Sequence, residues 1–137
     1  MSIIGLDVGE RRIGISVSDP EKKVATGLRA LERRSIEEDI KTIEGIIRNY
    51  QAEEIVLGYP KNMDGSIGDA AKKVLSFGEE LKSLVNLETI FWDERVTTLE
   101  AEKVLIKGDV RRKKRKKVID TLSAILILQN YLDYKNT

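Results

Sequence analysis

The chain has 137 residues, with 24 Lys and Arg against 23 Asp and Glu, and contains neither histidine nor cysteine. Its length is most simply that of one domain, residues 1–137, with a single sizeable core. The missing residue types exclude histidine general bases, thiol nucleophiles, soft-ligand zinc sites and disulfides, so any metal site must be built from oxygen ligands. Such sites favour magnesium, manganese or calcium. No apolar run approaches the ~20 residues that span a bilayer, and the N-terminus lacks a signal peptide's basic start and cleavage site. The expectation is a soluble cytoplasmic protein with no membrane partner.

In chain order, 3–7, Arg12–Ser18 and Ala25–Glu32 read as strands. The second alternates Ile13, Ile15 and Val17, and the turns between the three carry Gly9, Asp19 and Pro20. Such short connections predict an antiparallel meander. Ser35 followed by Glu38 is a capping box, and Ile36, Ile40, Ile43, Ile46 and Ile47 then recur at helical spacing to about Tyr50. Residues 55–59 form a short buried strand, 60–67 a polar loop, 68–84 a helix and 87–92 a fifth strand. Thr97 and Glu100 open a further helix to about Ile106, which Gly108 and Asp109 end. Residues 117–134 are apolar on most sides and predict a nearly buried helix. The pattern β-β-β-α-β-α-β-α-α implies an α/β fold with one mixed sheet and helices on both faces.

Acids cluster at the ends of these elements. Asp7 closes the first strand just before Gly9, Asp93 and Glu94 follow the fifth, and Asp120 lies among Val118, Ile119, Leu122 and Ala124 near the start of the last helix. In open α/β sheets, ligands gather beyond the carboxyl ends of strands. Carboxylates converging there repel one another unless divalent cations neutralise them, and paired magnesium ions are a recurrent device for attack of water on a phosphodiester. Each acid also has a structural explanation. Asp7 could cap the Gly9 turn, Asp93 and Glu94 could pair with Arg95, and Asp120 could cap the final helix.

The near-neutral net charge of +1 conceals a strong asymmetry. Arg111, Arg112, Lys113, Lys114, Arg115, Lys116 and Lys117 are consecutive, and without them 17 basic side chains remain against 23 acidic, a balance of −6. An acidic body with one concentrated basic segment is arranged to meet a polyanion at one place. The alternative is a solvated loop. Phosphate contacts from about four of the seven charges would give a salt slope of about −3.6 on duplex DNA. Aromatic residues are few, so recognition through backbone and shape is expected rather than base stacking.

Four blocks, GLDVGERRIGISVSD at 5–19, VLGYPKNMDGSIG at 56–68, DERVTTLEAE at 93–102 and IDTLSAILILQNYL at 119–132, resemble in order and spacing the YqgF family. That family is also called the RuvX family, and its members are described as Holliday junction resolvases and as nucleases of the 16S ribosomal RNA precursor. The resemblance implies a ribonuclease H-like fold: a five-stranded mixed sheet, its first three strands antiparallel, with helices on both faces. It also implies Asp7, Glu94 and Asp120 as metal-binding catalytic acids, with Mg2+ or Mn2+ as cofactor. Two departures matter. Resolvases sharing this fold are expected to carry a glutamate at the end of the fourth strand, where this chain reads LGYPKNM, and a second aspartate one turn after the last, where it has Ser123. A three-acid site would leave a second ion's shell to be completed by substrate phosphate.

The remaining chemistry fits a nucleic-acid partner. Arg11 and Arg12 flank the glycine turn, Lys61 and Asn62 lie in a donor-rich loop, and Arg95 precedes the Thr97 cap, so all are candidate phosphate contacts beside the basic run. The reading is a metal-dependent nuclease for structured nucleic acid, with the sequence not choosing between branched DNA and precursor ribosomal RNA. The alternative is a non-catalytic nucleic-acid-binding factor of the same fold. GLDVGERRIG also resembles the phosphate loop of actin-like and sugar-kinase ATPases, but those clamp ATP between two such lobes and this chain supplies one. A resolvase needs two symmetric cuts, which a dimer would supply, whereas RNA cleavage does not; a monomer or weak homodimer is expected.

Overall fold

The computed structural model describes residues 1–59, 68–93 and 112–136, with 112–120 as backbone alone. Five strands, β1 (Ser2–Val8), β2 (Arg12–Ser18), β3 (Ala25–Glu32), β4 (Ala52–Tyr59) and β5 (Glu88–Asp93), form one sheet in the spatial order β3-β2-β1-β4-β5. β1 pairs antiparallel with β2 and β2 with β3, whereas β1–β4 and β4–β5 are parallel. This is the mixed sheet with an antiparallel meander that the strand pattern predicts. Three helices accompany it among the described residues: α1 (Ile36–Tyr50), α2 (Asp69–Val85) and a last helix, α3 (Arg112–Lys135). The loop expected at 60–67 and the helix expected from Thr97 to Ile106 lie outside the described residues.

Both faces of the sheet are covered. Ile4, Leu6, Ile13, Ile15, Ile55 and Leu57 pack with Ile40 and Ile43 of α1 and with Val74, Phe77 and Leu81 of α2. On the other face Ile3 and Val56 pack with Ile127, Leu128, Tyr131 and Leu132 of α3. A central strand buried on both sides has no polar face, which is why IIGL and IVL read as continuous apolar runs. β4 starts at Ala52, three residues earlier than expected, because Glu53 and Glu54 mask its beginning. Glu53 pairs with Lys22, while Glu54 is buried and bonded to α3.

Local chemistry sets the helix ends. Ser35 Oγ accepts a hydrogen bond from the Glu38 amide at 3.1 Å, as the capping box predicts. α1 stops where Gln51 turns left-handed at φ 51° and its amide bonds back to Arg48 O.

The last helix departs from expectation in two ways. It begins at Arg112 rather than 117, so Arg112–Lys117 belong to the helix and not to a solvated loop. Lys and Arg are good helix formers, so the basic run continues the helix toward its N-terminus. Only one side is fully buried, through Ser123, Ala124, Ile127, Leu128, Tyr131 and Leu132, while Leu122 and Leu126 are half-buried. Among the described residues, no helix is long and apolar enough to cross a membrane.

α3 approaches the sheet closely because the strands beneath it present almost no side chain. A Cβ on Gly5 would stand 2.4 Å from Ser16 Oγ and 2.8 Å from Leu128 Cβ, and one on Gly27 would stand 3.2 Å from Thr121 Cβ. Ser16 Oγ donates to Ala124 O at 2.8 Å, fixing the helix along the sheet. Gly5→Ala is therefore expected to lower stability by about 2–3 kcal/mol through overpacking. Urea denaturation of the purified variant checks it, and a midpoint equal to that of the wild type would refute the close-packing account.

Candidate active site at the carboxyl edge of the sheet

Asp7 is the penultimate residue of β1. Its lateral neighbours are Gly14 on β2 and Gly58 on β4, and the same row continues to Ala30 on β3 and Trp92 on β5. Alternation assigns Asp7 to the face of Ile3 and Gly5, the face covered by α3. The carboxylate is half-buried there, and its register partners on the two neighbouring strands are both glycines.

The direction of α3 brings Asp120 toward this edge. The end of α3 lies at the amino ends of β3 and β4, where Lys135 Nζ donates to Glu54 Oε2 at 3.0 Å and Gln129 Oε1 accepts from the Ala25 amide at 2.9 Å. The helix thus runs antiparallel to β1 and β4. Asp120 is one turn before Ala124, about 6 Å along the axis. Asp7 is two residues beyond Gly5, about 6.6 Å in the same direction. Asp120 is also the ninth residue of α3, which rules out the capping role open to it in sequence.

The alternation of β5 sets the face of Asp93. Trp92 packs on the α3 side and Phe91 on the α1/α2 side, so Asp93, which pairs with Tyr59, falls on the face opposite Asp7. Glu94, Arg95, Lys61, Asn62 and Arg111 lie outside the described residues. Among the described residues, no three acidic side chains come together as a metal site. Of the expected nucleic-acid contacts, Arg11 and Arg12 lie on the β1–β2 turn, Arg11 exposed and Arg12 half-buried, and Arg112–Lys117 occupy the first turns of α3.

The turn after Asp7 is held from two sides. The Gly9 amide donates to Arg12 O at 2.8 Å, and a Cβ on Gly9 would stand 2.9 Å from that oxygen. Arg33, which the sequence reading did not single out, donates from Nη1 to Gly9 O at 3.0 Å and from Nε to Asp39 Oδ2 at 3.3 Å, with its guanidinium 5.3 Å from the Phe77 ring centroid. The Arg34 amide also donates to Asp39 Oδ1 at 3.1 Å. Asp39 is 2% exposed, so its charge is met almost wholly by these groups. The signal that could have exposed Arg33 is an acid inside the first turn of an isoleucine-rich helix, a position that calls for a partner nearby.

Glu54 lies at the other end of α3. It is buried, accepts hydrogen bonds from Tyr131 Oη and Lys135 Nζ, and so has its charge met by the chain itself. Burial, then the Glu54 carboxylate, push the Tyr131 phenol well above its ordinary value, which keeps it a donor. Glu54 is structural.

Comparison with known proteins bears on what this edge does. The sequence profile of the RuvX family, described as Holliday junction resolvase, matches residues 1–134. A protein of Caldanaerobacter subterraneus subsp. tengcongensis, named "Putative pre-16S rRNA nuclease", is 51% identical over 134 residues, covering 97% of this chain and 96% of its own. One of Carboxydothermus hydrogenoformans with the same name is 47% identical over 136 residues, 99% of each chain. Among solved structures, Thermus thermophilus RuvC in complex with a Holliday junction superposes with a TM-score of 0.62 at 13% identity, covering 100% of this chain and 97% of that one. The fowlpox virus resolvase with Holliday junction DNA gives 0.64 at 12% identity, with both chains covered completely. These two likenesses establish the fold, a ribonuclease H-like one.

Asp39→Asn should remove the charge that holds Arg33 and lower stability by roughly 3 kcal/mol. Hydrogen exchange at the Gly9 to Arg12 turn is expected to quicken more than at β2. Unchanged protection of that turn would show that Arg33 does not hold it.

Proposed function

The chain belongs to the RuvX family, and from that membership we propose that it is a divalent-metal-dependent nuclease that hydrolyses phosphodiester bonds of structured nucleic acid at the edge bearing Asp7. One observation carries the reading. Asp7 sits between two glycines on the face covered by α3, and the antiparallel run of that helix carries Asp120 toward the same edge. Glu94 follows the end of β5 and is assigned the third place, since Asp93 belongs to the opposite face.

An all-oxygen set of three carboxylates suits magnesium or manganese, in a chain without histidine or cysteine. When bound, the cation supplies positive charge against the scissile phosphate and lowers the pKa of water. The protein's own contribution is to hold Asp7, Glu94 and Asp120 in place and to bring phosphate to them. Arg112–Lys117 fill the first turns of α3, and the helix dipole disfavours the cations of the opening turn by about 0.3–1 kcal/mol each. A polyphosphate chain would offset that cost. Arg11, Arg12, Lys61, Asn62, Arg95 and Arg111 are proposed as further phosphate contacts.

Relatives near 50% identity carry the precursor ribosomal RNA name, whereas the resolvases are related at 12–13%, so precursor 16S RNA is the first substrate to assay and a four-way DNA junction the second. Asp7→Asn, Glu94→Gln and Asp120→Asn should each reduce cleavage of the labelled substrate at least a hundredfold in magnesium while leaving its binding within about threefold of the wild type. Retained cleavage by Asp7→Asn would defeat the assignment. Binding without cleavage by the wild type on either substrate would favour a non-catalytic binding factor.

The number of acids makes a separate prediction. With three carboxylates, calorimetry of manganese binding to the free protein should not detect two tight sites. Two sites of equal, micromolar affinity would require ligands beyond Asp7, Glu94 and Asp120.

A further inference from the structure

Beside Asp7, on the α1/α2 side of the same edge, lies a cleft of about 480 Å3 that the proposed chemistry does not use. Its walls include Gly9 and Glu10 of the β1–β2 turn, Arg33, and Lys73 and Val74 of α2, and Asp7 stands at its boundary. We propose that this cleft is a phosphate subsite, in which Arg33 and Lys73 hold a second phosphodiester of the strand whose cleavage is assigned to Asp7. The proposal rests on the nuclease reading above.

Two features point to phosphate. Arg33 is fixed before any ligand arrives, because Nε is bonded to Asp39, Nη1 to Gly9 O, and the guanidinium lies over Phe77. Its Nη2 has no partner among the described residues. A planar donor already immobilised loses little entropy on meeting a phosphate oxygen. Lys73 is exposed, and among the described residues it has neither a hydrogen-bond nor an ion-pair partner. It supplies a point charge on the opposite wall, reached from the helix of which Val74 is the buried anchor.

The charge balance explains why such a subsite would work with the metal rather than without it. Asp7 and Glu10 offset Arg33 and Lys73, and Arg33 is already paired with Asp39, so the described lining carries no net positive charge as it stands. A divalent cation held at Asp7 makes it net positive. Phosphate affinity at this cleft is therefore expected to rise with cation, including calcium.

Fluorescence anisotropy with a precursor 16S RNA fragment and with a four-way DNA junction, each in calcium and in EDTA, tests this on the full chain. Lys73→Glu should weaken binding roughly tenfold in calcium and by less in EDTA, Lys73→Ala about threefold, and Lys73→Arg should match the wild type. The logarithmic salt slope of Lys73→Ala should fall by about one, as for one lost phosphate contact. Because Lys73 is exposed, the thermal midpoint should be unchanged, and Arg33→Lys, which keeps charge but loses the fork, should weaken binding as well. Wild-type affinity and salt slope in Lys73→Glu would overturn the subsite while leaving the nuclease reading intact. Failure of the wild type to bind either probe would overturn both.

Discussion

The contact between α3 and the bare strip of sheet at Gly5, Ser16 and Gly27 governs the geometry of everything above it. Ser16 Oγ donates to Ala124 O at 2.8 Å, and of the flanking glycines Gly5 leaves no room for a Cβ while Gly27 leaves a tight one. Because a helix can only be lowered this far onto a surface without side chains, its height and its position along β1 are set together. Slipping by one residue would turn the whole helix by about 100° and carry the stripe of Ala124 and Leu128 off the sheet. The catalytic proposal is thus a consequence of packing: small residues in the middle of three strands decide where an acid on a distant helix arrives.

The same face shows how the chain treats acids of two kinds. Glu54, at one end of α3, is enclosed with Tyr131 and Lys135 and needs nothing from outside. Asp7, at the other end, lies between Gly14 and Gly58 at the carboxyl edge. Asp39, on the far side of the sheet, is again met by Arg33 and a backbone amide. Buried carboxylates that serve the fold come with cations supplied from sequence neighbours or a packed helix, because an unpaired one costs several kcal/mol. An acid at the carboxyl edge of a parallel pair of strands is where a ligand can supply the charge instead.

Much of this was legible in the sequence, and the reasons differ by element. The three meander strands and α1 were read nearly to the residue, since period-two alternation, the Ser35 to Glu38 box and the isoleucine repeat are local signals. The start of β4 was hidden by Glu53 and Glu54, whose partners, Lys22 and Lys135, are far away in sequence. The start of α3 was missed because a basic run reads as solvent-exposed whether it is helical or not. For the site, Asp7 stood out from its setting alone. The choice between Asp93 and Glu94 could not be made from composition, because it depends on which face Trp92 occupies, and that is fixed by contacts with Tyr131 and Tyr134. Arg33 was missed for a similar reason: apart from Asp39, its partners are a turn and a ring on another helix, which no local pattern joins to it.

The two faces of the sheet divide the labour at the edge. The α3 face brings the acid side, through Asp7 and the helix bearing Asp120, while the α1/α2 face brings Arg33 and Lys73 within one cleft. An extended nucleic-acid strand crossing the carboxyl ends of β1 and β4 would therefore meet a region of carboxylates and a region of cations in succession. On the nuclease reading proposed above, the first would hold the metal and the second phosphate. Arg33 reaches the turn after Asp7 through the carbonyl of Gly9, so it steadies that loop by a hydrogen bond to Gly9 O while its own charge remains paired with Asp39 on α1.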